Sequence, residues 1–333
     1  MIQQPHPFAS FIRILGRGKN LSRALTVEEA ESAMAMILAG DVLPEQVGAF
    51  LMLLRMKEES GAEIAGFAKA VRKHLPPPAP GLVAFDWSSY AGKKRQLPWY
   101  VLAALALAQS GDAVFMHGFD GHTEGRLYTG EVFSALGIPS AKSLDEAASQ
   151  LAAHKFAYMD LRDFSPPLAR MMGFKPILGL RSPIHTLARM INPFAAPCLL
   201  QGIFHPNYMV THRDAALLLG EKAMCVFRGE GGEIERRPSK PCEVLGVADG
   251  ESYEERWPPI MTESAAPHEE SLDLSRLAKL WRGETREPYG EAAIIGTLAI
   301  ALRTRDRALD QPAALARAAE IWASRNPARW LAA

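Results

Sequence analysis

Residues 82–140, LVAFDWSSYAGKKRQLPWYVLAALALAQSGDAVFMHGFDGHTEGRLYTGEVFSALGIPS, decide the fold of this chain. The short apolar runs Leu82–Phe85 and Val114–Met116 have the length of strands, and each is followed by a polar turn and a segment with helical periodicity. This order is typical of β-loop-α units in a parallel sheet. In such sheets the loops at the carboxyl ends of the strands border the ligand crevice. We therefore expect functional residues in Asp86–Gln96 and His117–Arg126.

The first of these loops is basic and poor in glycine. It contains Lys93, Lys94 and Arg95 beside a single glycine, Gly92, and Pro98 is placed to open the next helix. A loop that wraps a pyrophosphate usually needs several glycines, because its backbone N–H groups must approach the phosphates closely. This loop is therefore expected to attract phosphate by charge without enclosing it.

The region before these units has the pattern of a small helical module. Apolar residues recur at helical spacing from Thr26 to His74, and the proline-rich run 76–80 then forms a boundary or hinge. The helix limits are marked by capping-box spacings at Thr26 and Ser60, a glycine at Gly40 and a proline at Pro44.

Composition indicates a globular protein. The chain has 333 residues, of which 48% are hydrophobic, which is enough for one large domain or two domains. It contains no uninterrupted apolar run long enough to cross a bilayer and no secretory leader pattern, so we expect a cytoplasmic protein with no membrane partner. The widely spaced Cys198, Cys225 and Cys242 predict neither a zinc site nor a disulfide framework, and buried thiols are expected.

The charge is balanced overall but not along the chain. There are 37 basic and 37 acidic side chains, and residues 249–273 hold eight of the acidic ones with a single arginine. The rest of the chain therefore has a basic surplus of seven. A local basic face is possible, although scattered solvated charges explain the surplus equally well. The acidic segment is expected to be an extended surface connection.

The remaining pattern predicts an α/β body with a mainly parallel central sheet. Further strands are expected at Phe156–Met159, Leu199–Phe204, Ala223–Phe227 and Val244–Val247, with helices at Ser143–His154, Asn207–Gly220 and in the tail after Glu284.

Several short stretches resemble a known family. They are Gly40-Asp41, PEQVGAFL at 44–51, MHG at 116–118, LGLRS at 178–182 and Asn192-Pro193. In this order they resemble anthranilate phosphoribosyltransferase and the related pyrimidine nucleoside phosphorylases. The resemblance implies a helical domain of residues 1–75 with a return segment at about 165–192, and an α/β domain of residues 76–164 and 193–333.

The functional motifs of those enzymes are only partly present. Trp87–Arg95 stands where the enzymes carry a GTGGD loop for phosphoribosyl pyrophosphate, and only His117 and Gly118 remain of KHGN. Lys175 stands where an arginine would grip the anthranilate carboxylate, and GEIE at 232–235 stands where an Asp-Glu pair binds magnesium.

The basic loop Tyr90–Gln96, the HG turn at 117–118 and the RGEGGE turn at 228–233 instead resemble the YbiB-like branch of this fold. That resemblance implies a homodimer that binds nucleic acid with little sequence preference. The helices at 33–54 are our candidates for the dimer contact.

Three hypotheses follow, and the first is favoured over the second. In the first, the protein binds nucleic acid, with Tyr90 or Trp99 stacking on a base and His117 nearby. The phosphate contacts would come from Lys93, Lys94, Arg95, Arg228, Arg236, Arg237 and Lys240.

In the second hypothesis, the protein is a phosphoribosyl or pentosyl transferase that uses phosphoribosyl pyrophosphate with an altered acceptor. Lys93 and Arg95 would neutralise the leaving group, and magnesium would bridge the phosphates to Glu233 or Glu235. No cofactor is expected outside this alternative. In the third hypothesis, the cleft binds a phosphate ligand but no longer catalyses a reaction.

Overall fold

The computed structural model describes residues 4–121, 123–262 and 272–331. The helices are α1 (Ala9–Gly16), α2 (Val27–Ala39), α3 (Pro44–Lys57), α4 (Gly61–His74), α5 (Tyr100–Gln109), α6 (Thr129–Ala135), α7 (Leu144–His154), α8 (Leu161–Phe164), α9 (Pro166–Met172), α10 (Lys175–Leu178), α11 (Ile184–Leu187), α12 (Tyr208–Leu219), α13 (Ser275–Arg282), α14 (Pro288–Arg305) and α15 (Gln311–Ala323). The strands are β1 (Phe85–Ser89), β2 (Val114–Gly118), β3 (Ser140–Ala141), β4 (Phe156–Asp160), β5 (Cys198–Ile203), β6 (Ala223–Arg228), β7 (Cys242–Ala248) and β8 (Glu251–Trp257).

The eight strands form a single sheet in the order β3-β4-β2-β1-β5-β6-β7-β8. Every neighbouring pair from β3 to β6 is parallel, whereas β7 and β8 are added as antiparallel strands at one edge. The predicted class, an α/β protein with a mainly parallel central sheet, is confirmed.

Each face of the sheet is covered by helices, and alternate strand residues contribute to the two cores. On one face Phe85 and Trp87 pack with α5, α14 and α15. On the other face Phe115 and Met159 share a continuous core with the N-terminal helices α1–α4. The small helical unit is therefore fixed against the sheet by buried apolar surface.

The helical unit is built as its sequence predicts. Thr26 and Ser60 both form capping boxes, with Glu29 and Glu63 as their partners, and Gly40 ends α2 in the left-handed conformation at φ 82°. Met34 is fully buried in the core of this unit, where it fills space between the helices.

The segment after β4 returns to the helical unit. Arg72 in α4 donates from Nε to the Ile191 carbonyl at 2.8 Å and from Nη2 to the Met190 carbonyl at 2.8 Å. Helix α11 contacts α4 and α9 on this side. The division at residues 75, 165 and 192 stays a prediction.

Two sequence expectations about strands are wrong. β1 begins at Phe85 and extends through Asp86, Ser88 and Ser89, whereas the apolar run predicted a strand that ends at residue 85. The strand accepts these polar residues because they have partners: Asp86 Oδ1 lies 3.2 Å from His117 Nε2, and Ser88 Oγ donates to the Leu200 carbonyl at 3.3 Å.

The acidic segment contains the second difference. Its first part forms the edge strand β8, in which Glu255 is ion-paired with Arg303 and Arg307 at 2.6 Å. Charged side chains are common on edge strands because they oppose further strand pairing. The remainder of the predicted connection, residues 263–271, lies outside the described residues.

Across the described ranges, no helix is both long and apolar enough to cross a membrane. The three cysteines are buried and unpaired, as expected. The cytoplasmic location and the homodimer stay predictions.

Candidate functional site

The crevice of this sheet lies between β1 and β5. The connection that leaves β1 runs to β2 on one side, and the connection that leaves β5 runs to β6 on the other. Ligands bind at such a topological switch point, outside the carboxyl ends of the strands. The residues that follow β1 and β5, Tyr90–Gly92 and Phe204-His205, are therefore at the centre of the candidate site.

The loop after β1 is bound to a carboxylate from the turn after β6. Glu233 Oε1 accepts from the backbone N–H groups of Ala91 at 2.7 Å and Gly92 at 2.5 Å, and Oε2 accepts from Ser89 Oγ at 2.7 Å. Glu233 is 1% exposed. These are charge-assisted hydrogen bonds in a buried place, where each is stronger than a bond between neutral groups.

A chain of hydroxyl groups extends this network. Tyr100 OH lies 2.7 Å from Thr129 Oγ1, which lies 2.5 Å from Ser89 Oγ. Each hydroxyl has one proton to donate, and Ser89 donates its proton to Glu233. Thr129 can then donate to Ser89, and Tyr100 can donate to Thr129, so that all the bonds point towards the carboxylate. Burial and the negative charge of Glu233 raise the pKa of Tyr100 well above its ordinary value, so it remains a donor.

A buried ion pair lies beside this network. Lys93 Nζ donates to Glu235 Oε1 at 2.6 Å, and Glu235 Oε2 accepts from the Tyr100 N–H at the start of α5 at 3.0 Å. The two side chains are 1% and 0% exposed. Burial raises the pKa of Glu235, and Lys93 acts in the opposite direction.

Close backbone packing fixes the turn that carries both glutamates. A Cβ at Gly229 would lie 1.6 Å from the Glu233 carbonyl oxygen, so only glycine fits there. In the facing loop Gly92 has φ +69°, which places it in the left-handed region. Arg126 Nη1 joins the two segments, because it donates to the carbonyls of Ala91 at 2.8 Å and Gly92 at 2.9 Å in the loop and of Gly231 at 3.3 Å in the turn.

A cavity of about 300 Å³ opens next to this loop, between the helical unit and the sheet. It is rich in cations and histidines. Its lining consists of Arg55, Glu59, Ala91, Arg126, Arg181, Ser182, His185, Thr186, Arg189, Ile203, Phe204, His205, Tyr208, His212 and Gly231.

The four arginines of the cavity have neutral partners. Arg55 donates to Tyr208 OH at 2.6 Å, Arg181 to Thr123 Oγ1 at 2.8 Å, and Arg189 Nε to the Gly202 carbonyl at 3.0 Å. None of the four forms an ion pair with a carboxylate in the described part of the chain. Unpaired arginines around a cavity attract a multiply charged anion.

Glu59 is the carboxylate in the cavity wall. Its Oε1 accepts from Thr186 Oγ1 at 2.6 Å, whereas its buried Oε2 has no hydrogen-bond partner among the described residues. Burial raises the pKa of Glu59. An unsatisfied carboxylate oxygen at a cavity is suited to accept a proton or a hydrogen bond from a ligand.

His212 is the most buried histidine of the cavity. Burial and the nearby Arg189 lower its pKa to about 3, so the ring is neutral at pH 7. Its Nδ1 lies 2.5 Å from Gln201 Oε1 and donates to it. His212 therefore adds no charge to the cavity.

His117 and Tyr90 belong to a separate buried network. Tyr90 OH lies 2.6 Å from His117 Nδ1, and His117 Nε2 lies 3.2 Å from Asp86 Oδ1. All three side chains are at most 1% exposed. Their placement indicates a structural link between β1 and β2.

The predicted site residues fall into two groups. The interior ones are Tyr90, Lys93, His117 and Arg236, and those at least partly in contact with solvent are Lys94, Arg95, Arg228, Arg237 and Lys240. Arg236 is enclosed between Trp257 and the Pro258 carbonyl, to which it donates. The four interior side chains could contact an external polyanion only if they left the interior and lost their present partners. Their binding roles stay predictions.

Glu233 and Glu235 do not fit the predicted role of magnesium ligands. Each oxygen of both carboxylates already accepts at least one hydrogen bond from a backbone, hydroxyl or lysine donor, and magnesium would have to compete with these bonds. Within the described ranges, no group of three or more His, Cys, Asp or Glu side chains is placed to hold a metal ion.

Sequence reasoning missed the arginines of the cavity and Glu59. They come from α3 and the residues just after it, from the loop after β2 and from the return segment, so no single stretch contains them. Two signals were available in the sequence. Arg126 ended a loop that was expected to be functional, and Arg181 lies in the LGLRS stretch at 178–182 that resembles a family motif. Trp99, considered as a stacking residue, is 1% exposed and belongs to the core.

Comparisons with known proteins agree with this architecture. The helical bundle domain of a glycosyl transferase family matches residues 9–75. The uncharacterized protein YbiB of Escherichia coli (strain K12) is 30% identical over 249 residues, which is 73% of this chain and 77% of YbiB. Anthranilate phosphoribosyltransferase of Moorella thermoacetica is 30% identical over 286 residues, 84% of this chain and 80% of that protein.

Solved structures show the same fold. The crystal structure of anthranilate phosphoribosyltransferase from Thermus thermophilus has a TM-score of 0.82 at 22% identity and covers 98% of this chain and 97% of that one. The Saccharomyces cerevisiae enzyme in complex with PRPP and Mg has a TM-score of 0.77 at 17% identity, with 98% and 96% coverage.

The three consecutive cations of the basic loop should differ sharply in their effect on stability. Lys93→Ala leaves Glu235 as an uncompensated buried charge, so we expect it to lower the free energy of unfolding by about 3–5 kcal/mol. Lys94→Ala and Arg95→Ala remove exposed side chains and should change it by less than about 0.5 kcal/mol. Urea unfolding of the three variants measures this, and equal effects would contradict the internal role of Lys93.

Proposed function

Because the chain belongs to the glycosyl transferase family that includes the anthranilate phosphoribosyltransferases and YbiB, we propose that it binds a phosphorylated pentose in the arginine-lined cavity and transfers the pentosyl group. The observation that carries the proposal is the cluster of Arg55, Arg126, Arg181 and Arg189, none ion-paired among the described residues. The donor would be of the phosphoribosyl pyrophosphate class, and the acceptor would differ from anthranilate.

The proposed chemistry uses charge rather than a nucleophilic side chain. The bond between the anomeric carbon and the leaving phosphate oxygen breaks, and a bond to the acceptor forms while the acceptor loses a proton. Arginines neutralise the negative charge that develops on the leaving group, which is where preorganised donors have their greatest effect. Glu59 Oε2, which is buried in the wall and has no partner in the part of the chain that the structure describes, is our candidate for receiving the acceptor's proton.

The acceptor is expected to differ from anthranilate because the chain departs from its enzymatic relatives at the position that would bind the anthranilate carboxylate. Lys175 stands where the resemblance places an arginine for the anthranilate carboxylate, and it is outside the cavity lining. Magnesium would reach this site on the phosphates of the donor, since it is commonly bound through substrate phosphates with few protein ligands.

Ribose 5-phosphate tests the binding step directly. Isothermal titration should detect binding to the wild type, and Arg181→Ala should weaken it about tenfold through the loss of one charge-assisted contact. Lys94→Ala is the matched control, because it removes an exposed cation outside the cavity lining. Pyrophosphate release from phosphoribosyl pyrophosphate, with and without magnesium and with aromatic amine acceptors, tests transfer.

Two results would count against the proposal. If neither ribose 5-phosphate nor phosphoribosyl pyrophosphate binds at millimolar concentration, the cavity is not a pentose phosphate site. If both bind but no acceptor supports pyrophosphate release, the protein keeps the ligand site of a transferase and lacks its reaction.

A second candidate function is the binding of single-stranded nucleic acid. The observation that favours it is Phe204, which is 49% exposed at the mouth of the cavity, with the Arg228 guanidinium 5.8 Å from its ring centroid. An exposed ring beside cations is a suitable platform for stacking a base. Lys94 and Arg95 are exposed on the loop after β1.

Fluorescence anisotropy with labelled single-stranded DNA tests this candidate. Binding should weaken steeply as salt rises, because phosphate contacts release counterions. Phe204→Ala and Arg228→Ala should each weaken it, whereas Lys279→Ala on α13 should leave it unchanged. Affinity that does not depend on salt, or that Phe204→Ala leaves intact, would exclude this site.

A further inference from the structure

The loop after β1 has the geometry of an anion site. The N–H groups of the successive residues Ala91 and Gly92 converge on one oxygen, with N···O distances of 2.7 and 2.5 Å, and Gly92 is left-handed at φ +69°. Successive N–H groups in such a turn form a concavity, called a nest, that binds anions. In this chain the anion in the nest is the carboxylate of Glu233.

We propose that Glu233 is the residue that determines which phosphate ligands the cavity accepts, because it occupies the nest in which a diphosphate would otherwise bind. This inference rests on the proposed function and narrows its donor. A donor of the phosphoribosyl pyrophosphate class can place its diphosphate in the nest only by displacing Glu233, so donors with a single phosphate on the anomeric carbon are favoured. A ligand with a single phosphate, held by the arginines, binds without disturbing Glu233. A diphosphate can use the nest only after displacing this side chain.

Displacement is unfavourable for reasons that the contacts make explicit. Glu233 would lose two backbone donors and the Ser89 hydroxyl together. Because the carboxylate is attached to the protein, its effective concentration at the nest is high, and a free diphosphate must compete with it. The Glu233 carboxylate and the diphosphate are both negatively charged, so they repel each other if both remain at the nest.

The nearby cations do not offset this competition. Lys93, adjacent to the nest, is fully buried and paired with Glu235 at 2.6 Å. Arg126 directs Nη1 to the carbonyls of Ala91 and Gly92. Lys93 is therefore compensated by Glu235, and the positive charge available to a ligand in the cavity lies on its arginines.

The nest is close enough to the cavity to become part of it. Ala91, whose N–H donates to Glu233, lines the cavity, and so does Gly231, two residues before Glu233 in the turn. Removing the carboxylate would leave two backbone N–H groups without partners next to the arginines. Such a place favours an incoming anion.

The experiment compares inorganic pyrophosphate with ribose 5-phosphate as titrants of the full chain in isothermal titration calorimetry. Glu233→Ala empties the nest, and we expect it to bind pyrophosphate about tenfold or more tightly than the wild type. Glu233→Gln keeps the shape but not the charge, so its affinity should fall between the two. The affinity for ribose 5-phosphate should change less than about threefold in both variants.

Glu230→Gln is the matched control. It removes one negative charge from the same turn, but Glu230 does not contact the N–H groups of Ala91 or Gly92, which donate to Glu233. A general electrostatic effect on the basic cavity would appear equally in Glu230→Gln and Glu233→Gln. A gain confined to the Glu233 variants assigns the effect to the nest.

The outcomes separate this inference from the proposed function. If the wild type binds pyrophosphate as tightly as Glu233→Ala, or if Glu230→Gln gains as much as Glu233→Gln, the inference is overturned. If no variant binds ribose 5-phosphate, the proposed function fails while the pyrophosphate comparison still decides the inference. Should Glu233→Ala fail to fold, the comparison of Glu233→Gln with Glu230→Gln decides it.

Discussion

The hydrogen bonds between the Glu233 carboxylate and the loop after β1 connect the parts of the site. They join β1 to the turn after β6 across the point where the sheet connections change direction. The hydroxyl chain from Tyr100 and the Lys93–Glu235 pair extend this connection to the start of α5. Since an unpaired buried carboxylate is costly, these segments stabilise one another only as a set.

Much of the fold could be predicted from periodicity and helix capping. The capping boxes at Thr26 and Ser60 are local signals, and they fixed the helix starts correctly. Strand β1 was misplaced because Asp86 and Ser88 look like the end of a strand, and only their partners in β2 and β5 make them acceptable inside the sheet. Such distant partners are not visible in a local pattern.

The same limit applies to the site. The three adjacent cations of the basic loop look equivalent in the sequence, yet Lys93 is buried against Glu235 while Lys94 and Arg95 are exposed. Conversely, Arg55 and Arg189 are isolated in the sequence and meet at one cavity. The positive charge available to a ligand in the cavity therefore lies on the arginines of its wall, while the turn formed by Ala91 and Gly92 binds the carboxylate of Glu233.

Hydrogen exchange at the amides of Ala91 and Gly92 tests the central claim, that Glu233 occupies this nest, most directly. Measured by NMR in the ligand-free protein, both amides should exchange slowly in the wild type and rapidly in Glu233→Ala, because their acceptor is removed. Pyrophosphate should restore slow exchange in the variant. Wild-type amides that exchange as fast as those of an exposed loop would contradict the account.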